Sequence, residues 1–463
     1  MPWTTVQPAL SRSETSLHET LAGKQSLVSW QNWTTDLFAR AQKEKKLVIL
    51  DLEAIWCHWC HVMDQKTYSD PAIAKVLQDH YIAVKVDQDS RPDLSNRYEQ
   101  YGWPATIVFA PDGRELAKRS GFIRPDEMLS MLKGFVKKPV PEDSASAGAN
   151  DKIKFSTEAS LSTALRDELS KKHAEGFDAV EGGFGRGSKF LDWDSVEYAL
   201  AAGKDGNTAE SEMAKKTLNG QLNLIDPVWG GVYQYSTEGD WKHPHFEKIM
   251  EIQGENLRIF SLSYSYFKDP KYLDAAKSTA KYLHDFLRSP DGAFYTSQDA
   301  DLKQGEHSGE YFTLSDAERR KQGIPRIDKH IYARENGWAI NGLVSLYMAT
   351  GDKQYLQEAE EASNWVIKNR AIAGGGFRHD ESDAAGPYLG DTLNMGRAFL
   401  ILYFATGDRQ YLRRAEESAQ FIDKNFKDSA TAGYLSAAIS SKTGAVTSMP
   451  HLDENIKLAR FSN

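Results

Sequence analysis

The sequence predicts a multidomain protein, in which an α/β domain is followed by an all-α toroid of helical hairpins. Apolar runs of strand length alternate with helical patterns up to about residue 138, and only helical patterns occur from about residue 155. The segment 139–152 is rich in proline, serine, alanine and glycine, which is typical of a linker. We therefore place the α/β domain at 30–138 and the toroid at 153–463, because 463 residues suit two or three domains.

The α/β domain is predicted to have its elements in the order βα, βα, ββα. Its first strand is the apolar run Leu47–Leu52, and the helical pattern after it begins at His61. Asp70 and Pro71 open the next helix, since aspartate caps helices and proline is accepted in the first turn. The remaining elements are strand Tyr81–Val86, helix Asp93–Tyr101, strands Ala105–Ala110 and Glu115–Arg119, and helix Pro125–Lys137.

The toroid is predicted from an internal repeat. Each copy has an apolar helix, a tight turn such as Thr350–Asp352 or Thr406–Asp408, and a second helix with charges on one face. Repeated helical hairpins of this kind close into an α/α toroid. Because the chain stops at Asn463, soon after the last inner helix begins, we expect an incomplete toroid whose segment after about Lys427 is poorly anchored. The predicted starts of the inner helices are Asp192, Glu255, Glu335, Asp391 and Glu454.

Composition excludes several classes of function. A net charge of −9 and a pI of about 5.8, with no basic stripe, argue against nucleic acid as a partner. No apolar run approaches the roughly 20 residues that a membrane span needs. The residues after Met1 lack the charged start and apolar core of a signal peptide. The compartment stays undecided, with the cytoplasm as the default and the periplasm or secretion as the alternative if a leader is missing.

The chemistry of the chain centres on Cys57-His58-Trp59-Cys60-His61, which contains its only two cysteines. The motif stands where a predicted strand passes into a helix, and the N–H groups and dipole of a helix N-terminus stabilise a thiolate. We therefore predict a redox-active disulfide, with Cys57 as the exposed nucleophile and Cys60 as the buried resolving residue. His58, Trp59 and His61 modulate the pair. No other cofactor and no metal is predicted, and the expected partners are protein thiols or disulfides.

Three other interpretations of the motif compete with the redox one. Two cysteines in an apolar core would need no chemistry at all. A structural zinc site needs four ligands, and Cys57 and Cys60 with His58 or His61 supply at most three nearby. The spacing C-x-x-C-H is also the attachment signature of c-type haem. The buried strand that leads directly into the motif favours redox chemistry over haem.

Several segments together resemble one known family. The chain is similar to thioredoxin-like proteins fused to a six-hairpin, glycosidase-like toroid, among them the spermatogenesis-associated thioredoxin-domain proteins and their bacterial relatives. The segments that carry the resemblance are Trp56–Met63, Gly102–Pro104, Pro244–Lys248 and Tyr295–Asp301.

The resemblance implies roles for two further residues of the α/β domain. Asp51 stands where thioredoxins carry a buried acid that accepts the proton of the resolving cysteine. Pro104 stands where they carry a cis-proline that packs against the disulfide and meets the substrate backbone. A proline at the start of an ordinary strand is the alternative for Pro104.

The toroid contributes a second group of candidate residues. Carboxyl groups on either side of a glycosidic bond would allow hydrolysis, and acid–base histidines would allow epimerisation. Carboxylates at helix starts, such as Glu335, Asp391 and Glu454, also have a simpler explanation as caps or dipole partners. The loop around Asp299 offers oxygen ligands for a divalent cation as a further alternative. The cavity candidates are His243, His245, Glu247, Asp299, Asp301 and Glu310.

Two functions of different class follow from these observations. In the first, the protein is a thiol–disulfide oxidoreductase, and the toroid recruits a substrate or partner. In the second, the toroid acts on or binds a carbohydrate, and the thioredoxin-like domain is a redox regulator or scaffold.

Overall fold

The computed structural model describes residues 26–142, 160–428, 433–439 and 447–463, and it confirms an α/β domain followed by an all-α toroid. The strands and helices predicted between residues 47 and 137 are present within a few residues of their predicted bounds. The elements are α1 Leu37–Glu44, β1 Leu47–Glu53, α2 His58–Lys66, α3 Pro71–His80, β2 Tyr81–Asp87, α4 Pro92–Tyr98, β3 Ala105–Phe109, β4 Glu115–Ser120 and α5 Pro125–Lys137.

The strands of the α/β domain form one mixed sheet in the order β2-β1-β3-β4. β1 runs parallel to β2 and antiparallel to β3. Ile49 of β1 packs into the apolar layer beneath α3 and α5, while Leu50 packs into the layer beneath α1 and α4. β1 is an inner strand, because it lies between β2 and β3, and it is buried on both faces. The cysteine motif follows directly at its C-terminal end.

The second domain consists of helical hairpins. Its inner helices are α7 Trp193–Lys204, α9 Met250–Phe267, α13 Ala333–Thr350, α15 Leu389–Thr406 and α17 Leu452–Ser462. Each inner helix begins within a few residues of its predicted start. α9 packs against α13, and α13 packs against α15. None of the helices in the described ranges is long and apolar enough to cross a membrane. The helices are α6 Thr163–Gly176, α7 Trp193–Lys204, α8 Thr208–Gln221, α9 Met250–Phe267, α10 Pro270–Tyr282, α11 Gly309–Phe312, α12 Asp316–Gln322, α13 Ala333–Thr350, α14 Lys353–Arg370, α15 Leu389–Thr406, α16 Arg409–Phe426 and α17 Leu452–Ser462.

Short strands connect the hairpins at the end of the toroid that faces the α/β domain. β5 pairs with β6, and β8 lies between β7 and β9. The strands are β5 Tyr235–Ser236, β6 Pro244–His245, β7 Lys248–Ile249, β8 Ser297–Gln298, β9 Ile327–Asp328, β10 Ala371–Ile372 and β11 Gly376–Phe377.

The repeated Gly-Asp turns explain how each hairpin reverses direction. Gly351 and Gly407 end α13 and α15 with φ angles of 74° and 71°, a conformation that glycine adopts without steric cost. Asp352 and Asp408 then cap the outer helices by accepting a backbone N–H with their side chains. The turn predicted from the repeat is therefore confirmed in both copies.

Helix α17 is well anchored, so the expectation of a loose segment is wrong for this helix. Leu458 is buried in an apolar cluster with residues of α15 and α16. Lys457 Nζ lies 3.3 Å from Glu251 Oε1 on α9, and Arg460 Nη2 lies 2.9 Å from Glu197 Oε2 on α7. The hairpin count from sequence overlooked that α17 joins the last hairpin to the first. Parts of the segment after Lys427, namely 429–432 and 440–446, lie outside the described residues.

The domain limits predicted from sequence stay a prediction. Most of the predicted linker 139–152 lies outside the described residues, as does the stretch in which the toroid is predicted to begin.

The α/β domain is docked on the short strands and loops of the toroid through polar contacts, of which those of His379 are buried and that of His451 is exposed. The ring of His379 is held between the domains, with Nε2 at 2.6 Å from the backbone oxygen of Asp89 and Nδ1 at 2.8 Å from Asp391 Oδ1. Trp56 Nε1 donates to Asp89 Oδ2 at 2.7 Å. At the other edge His451 Nε2 lies 2.8 Å from Glu99 Oε1. The two contacts between the domains, His379 with Asp89 and His451 with Glu99, join residues 290 and 352 positions apart in the chain, and so they depend on the packing of the two domains.

His379 carries a proton in this arrangement, because both of its ring nitrogens face hydrogen-bond acceptors. Burial lowers the pKa of His379, but the charge and hydrogen bond of Asp391, helped by Glu335 and opposed by Arg334, raise it to about 9. A histidine whose folded-state pKa exceeds its unfolded value of about 6.5 stabilises the native state most below that value. The stabilisation is lost as the pH rises through the folded-state pKa.

We predict that His379→Gln removes a pH-dependent part of the stability of the native protein. Each pKa unit corresponds to ~1.4 kcal/mol, so the wild-type protein should exceed the variant by up to ~3 kcal/mol at pH 6 and by much less at pH 9.5. Urea denaturation across this range measures the difference. His80→Gln, at an exposed histidine, is the matched control. A constant difference between wild type and His379→Gln at all pH values would contradict the prediction.

Candidate functional site

The cysteine motif stands at the strand-to-helix junction that the sequence predicts. Cys57 caps α2, its sulfur accepts the backbone N–H of Cys60 at 3.1 Å, and the two cysteines form a disulfide. The prediction that Cys57 is exposed is wrong, because Cys57 is 4% and Cys60 2% exposed. Trp103 of the same domain and Ile249 of the toroid pack against the cluster that contains the two cysteines. Cys57 nevertheless lines a cleft, whereas Cys60 does not.

Pro104 directly precedes β3 and follows Trp103, which packs against the two cysteines. The Trp103–Pro104 peptide bond is cis, as the resemblance implies. Pro104 is buried, and its backbone oxygen accepts the N–H of Gly121. The segment around Pro104 therefore forms the wall of the cleft opposite α2.

Asp51 lies within β1, where it is buried beside Lys85 of the neighbouring strand. Burial raises the pKa of Asp51 to about 7, although Lys85, with Nζ at 3.1 Å from Asp51 Oδ2, opposes the rise. Lys85 also contacts Glu53 and Asp64 at 2.7 and 2.6 Å. Asp51 can therefore exchange a proton near neutral pH. Sequence reasoning missed Lys85, although a lysine inside the apolar strand Tyr81–Asp87 and opposite Asp51 in register was a usable signal.

The two histidines of the motif are bound by one carboxylate of the toroid. Asp301 Oδ1 lies 2.7 Å from His58 Nδ1, and Asp301 Oδ2 lies 3.2 Å from His61 Nδ1. The backbone N–H of Gly305 also donates to Asp301 Oδ2. His61 Nε2 in turn lies 3.8 Å from Asp299 Oδ2. The histidine rings are thus oriented by residues more than 230 positions away in the sequence.

These contacts shift the pKa values of the group. Burial lowers the pKa of His61, but the hydrogen bond that His61 donates to Asp301 and the charge of Asp299 raise it above its usual value. Burial raises the pKa of Asp301, yet hydrogen bonds from His58 and His61 bring it below its usual range. Burial raises the pKa of Asp299 to about 7, against the opposing charge of His61. The arrangement therefore favours the protonated form of His61, which directly follows Cys60.

The disulfide opens on a cleft of about 520 Å³ between the two domains. The α/β domain contributes aromatic side chains to its wall, including Trp56, Trp59 and Trp103. The toroid contributes Tyr235 and the pair His245 and Glu247. The site thus combines a disulfide, an aromatic wall and an acidic side chain from two domains.

Comparison with known proteins gives the origin of the first domain. The Thioredox_DsbH family (Protein of unknown function, DUF255) matches residues 12–138. A thioredoxin from Mycoplasmoides gallisepticum is 36% identical over 90 residues, which cover 19% of this chain and 83% of that protein. The N-terminal domain belongs to the thioredoxin family.

Two further comparisons extend beyond the thioredoxin domain. Spermatogenesis-associated protein 20 of Homo sapiens is 26% identical over 308 residues, which cover 59% of this chain and 39% of the human protein. The predicted relationship to that group is confirmed, and the chain matches well under half the length of the human relative. A family 76 glycoside hydrolase from a bovine Bacteroides thetaiotaomicron strain shares 16% identity over 64% of this chain and 62% of its own, with a TM-score of 0.48.

The structure divides the toroid candidates into two groups. One group lies next to the thioredoxin domain and consists of Asp299, Asp301, His245 and Glu247. Glu247 stands between β6 and β7, and the pairing of β7 with β8 brings it close to Asp299, which follows β8.

Two candidates lie apart from this group, so the six do not form one cavity. His243 contacts Asp240 at 3.0 Å on the surface. Glu310 is exposed on α11. The proximity of His243 to His245 and of Glu310 to Asp301 in the sequence predicts a common site, but the side chains of His243 and Glu310 are both exposed.

The helix-start carboxylates are not caps. The residues that cap α13, α15 and α17 are Tyr332, Tyr388 and His451, none of which makes a side-chain cap bond. Glu335, Asp391 and Glu454 lie in the first turns, where the helix dipole favours negative charge. Glu335 accepts hydrogen bonds from the Arg334 side chain, and Glu454 accepts one from Ser436. Asp391 accepts from the His379 ring and from the backbone N–H of Arg334, in the first turn of the neighbouring α13.

Several clusters of the described residues have metal-ligand character. His61 with Asp299 and Asp301 is one, and Glu335 with His379 and Asp391 is another. In both clusters the histidine has its two nitrogens turned toward acceptors, which is the arrangement of an ion pair. These contacts orient the dithiol motif and the docked domain.

We predict that Asp301→Asn lowers the pKa of His61 toward 6.5, because the variant removes the hydrogen-bonded carboxylate that holds the proton. Titration of histidine ring resonances by NMR measures the change, with the His61 signal assigned from a His61→Gln variant. Glu306→Gln changes an exposed charge in the same loop and is the matched control. An unchanged pKa of His61 in Asp301→Asn would show that Asp301 does not hold this proton.

Proposed function

We propose that the chain is a thiol–disulfide oxidoreductase that uses Cys57 and Cys60 as its dithiol and that completes its site with residues of the toroid. The observation that carries the proposal is the Cys57–Cys60 disulfide at the N-terminus of α2, which follows the strand that holds the buried Asp51. Membership of the first domain in the thioredoxin family supports the same chemistry.

The reaction follows from the position of each sulfur. In the reduced form the Cys57 thiolate attacks one sulfur of a substrate disulfide, so a Cys57–substrate disulfide forms and the other substrate sulfur leaves as a thiolate. The Cys60 thiolate then attacks the Cys57 sulfur, which forms the Cys57–Cys60 disulfide and releases the second substrate thiolate. Two electrons pass from the dithiol to the substrate. Asp51, with a pKa of about 7, takes the proton that Cys60 loses.

Residues of the toroid support the first step. The helix N-terminus and the positive charge of His61 both favour a thiolate over a thiol at the motif. Asp301 positions the two histidine rings, and Asp299 adds to the charge that keeps His61 protonated. In this proposal the toroid is therefore part of the redox site.

The carbohydrate hypothesis gains no comparable support. The carboxylates that would flank a glycosidic bond, such as Asp299, Asp301, Glu335 and Asp391, are all buried. Asp301 and Asp391 accept hydrogen bonds from histidines at the contact between the two domains. We therefore propose redox chemistry as the function, with protein or small-molecule thiols and disulfides as the partners.

We predict that Cys60→Ser accumulates mixed disulfides through Cys57. In the presence of dithiothreitol, this variant should not accelerate the reduction of insulin beyond the rate with dithiothreitol alone. Without Cys60 the first covalent intermediate cannot be resolved. Non-reducing electrophoresis and mass spectrometry identify the adducts, and Cys57→Ser serves as the matched variant that forms none. Adducts on Cys57→Ser through Cys60 would instead reverse the roles of the two cysteines.

We further predict a reduction potential more oxidising than the roughly −270 mV of thioredoxin. The charge of His61 stabilises the thiolate of the reduced form, which makes the disulfide a better oxidant. Equilibration with glutathione redox buffers, followed by tryptophan fluorescence, gives the value. His61→Gln should shift the potential to more negative values. A wild-type value at or below about −270 mV would contradict the argument.

A further inference from the structure

One acidic side chain in the cleft has no part in the exchange reaction. Glu247 lines the wall of the cleft opposite the aromatic side chains of the thioredoxin domain, yet it is only 3% exposed. Its Oε2 atom is buried and accepts no hydrogen bond from the described residues. A buried carboxylate oxygen without a donor is costly, so such a group in a cleft points to a partner that arrives with the substrate.

The described neighbours of Glu247 leave its charge largely uncompensated. The nearest basic atom is His245 Nδ1 at 3.8 Å from Oε2, which is too long for a hydrogen bond. Within the described ranges, no lysine or arginine forms an ion pair with this carboxylate. Burial is the main cause that raises the pKa of Asp299 and of Tyr235, and the charge of Glu247 adds to both shifts.

The rest of the cleft wall suits a cation as well. The ring of Tyr235 stacks on His245 with centroids 4.4 Å apart, and both rings line the cleft. Trp59, the residue between the motif histidine and Cys60, is 43% exposed and lines the cleft. Aromatic faces attract ammonium and guanidinium groups, most strongly where water is excluded. A carboxylate backed by aromatic rings is therefore a suitable site for such a group.

We propose that Glu247 binds a positively charged group of the substrate, an ammonium or guanidinium, while a sulfur of the same molecule meets Cys57. The inference rests on the proposed function and names its substrate class: cationic thiols and disulfides. The substrate disulfide takes two electrons from the Cys57–Cys60 dithiol and leaves as two thiols, and its cationic group stays unchanged throughout.

The test compares small disulfides that differ in charge. The dithiol form of the full-length protein, prepared with dithiothreitol and desalted, is mixed with cystamine, bis(2-hydroxyethyl) disulfide or dithiodiglycolic acid, which are cationic, neutral and anionic. Tryptophan fluorescence follows oxidation of the dithiol in a single turnover. Each second-order rate constant is divided by that of free dithiothreitol with the same disulfide, which removes the intrinsic reactivity of the compound.

We expect the normalised rate constant to be highest for cystamine and lowest for dithiodiglycolic acid. Glu247→Gln should lower the value for cystamine about tenfold, the effect of losing one charge-assisted hydrogen bond, and leave bis(2-hydroxyethyl) disulfide within about twofold. Glu175→Gln removes one exposed negative charge on α6, far along the chain from the cleft residues, and should change none of the three values.

Two outcomes would overturn the proposals separately. If the wild-type protein reacts with all three disulfides at equal normalised rates, or if Glu247→Gln keeps the preference for cystamine, Glu247 is not a cation site. If none of the three disulfides oxidises the dithiol, the proposed redox function fails and the cation site fails with it. The wild-type comparison needs no variant, so a misfolded Glu247→Gln does not prevent a decision.

Discussion

The site depends on one carboxylate, that of Asp301, which binds the two histidines of the cysteine motif from the opposite domain. With His58 at 2.7 Å and His61 at 3.2 Å, Asp301 gains two hydrogen bonds only when the toroid is docked on the thioredoxin domain. The same contact favours the protonated form of His61, the residue that follows Cys60. Docking of the domains and protonation of His61 are therefore linked.

A second histidine joins the two domains elsewhere in the interface. His379 donates hydrogen bonds to the backbone oxygen of Asp89 and to the carboxylate of Asp391. In each region a histidine bridges acceptors that would otherwise be buried without a donor. Among the acidic residues that the sequence assigns to a carbohydrate site, Asp301 and Asp391 thus have histidine partners in the structure, whereas Glu247 Oε2 has no donor among the described residues. Separating the domains would leave one member of each buried charge pair without its partner, which is strongly unfavourable. The domains are therefore expected to stay docked.

Local patterns allowed much of the fold to be predicted. The apolar run of β1, the cap at Asp70 and the Gly-Asp turns at Gly351 and Gly407 each depend on neighbouring residues, and the structure has all of them. The starts of the inner helices follow from the repeat for the same reason. Sequence patterns carry this information because secondary structure is set mainly within a few turns or strands.

The contacts between the domains could not be predicted in this way. His58 and Asp301 are 243 residues apart, and no local pattern links them. The burial of Cys57 beneath Ile249 has the same origin, since it depends on where the toroid docks. The sequence did contain part of the answer, because Asp299 and Asp301 were recognised as a polar cluster. What it lacked was the partner, and so the cluster was assigned to a cavity of the toroid.

The pKa values near the disulfide make a final point about mechanism. Oxidation of a dithiol to a disulfide releases two protons together with two electrons, and a site that works near neutral pH needs groups that can hold them. Burial brings the pKa of both Asp51 and Asp299 to about 7. Asp51 comes from the central strand of the thioredoxin domain, whereas Asp299 comes from the toroid and reaches the motif through His61. In the proposed reaction each domain thus provides one carboxyl group with a pKa of about 7.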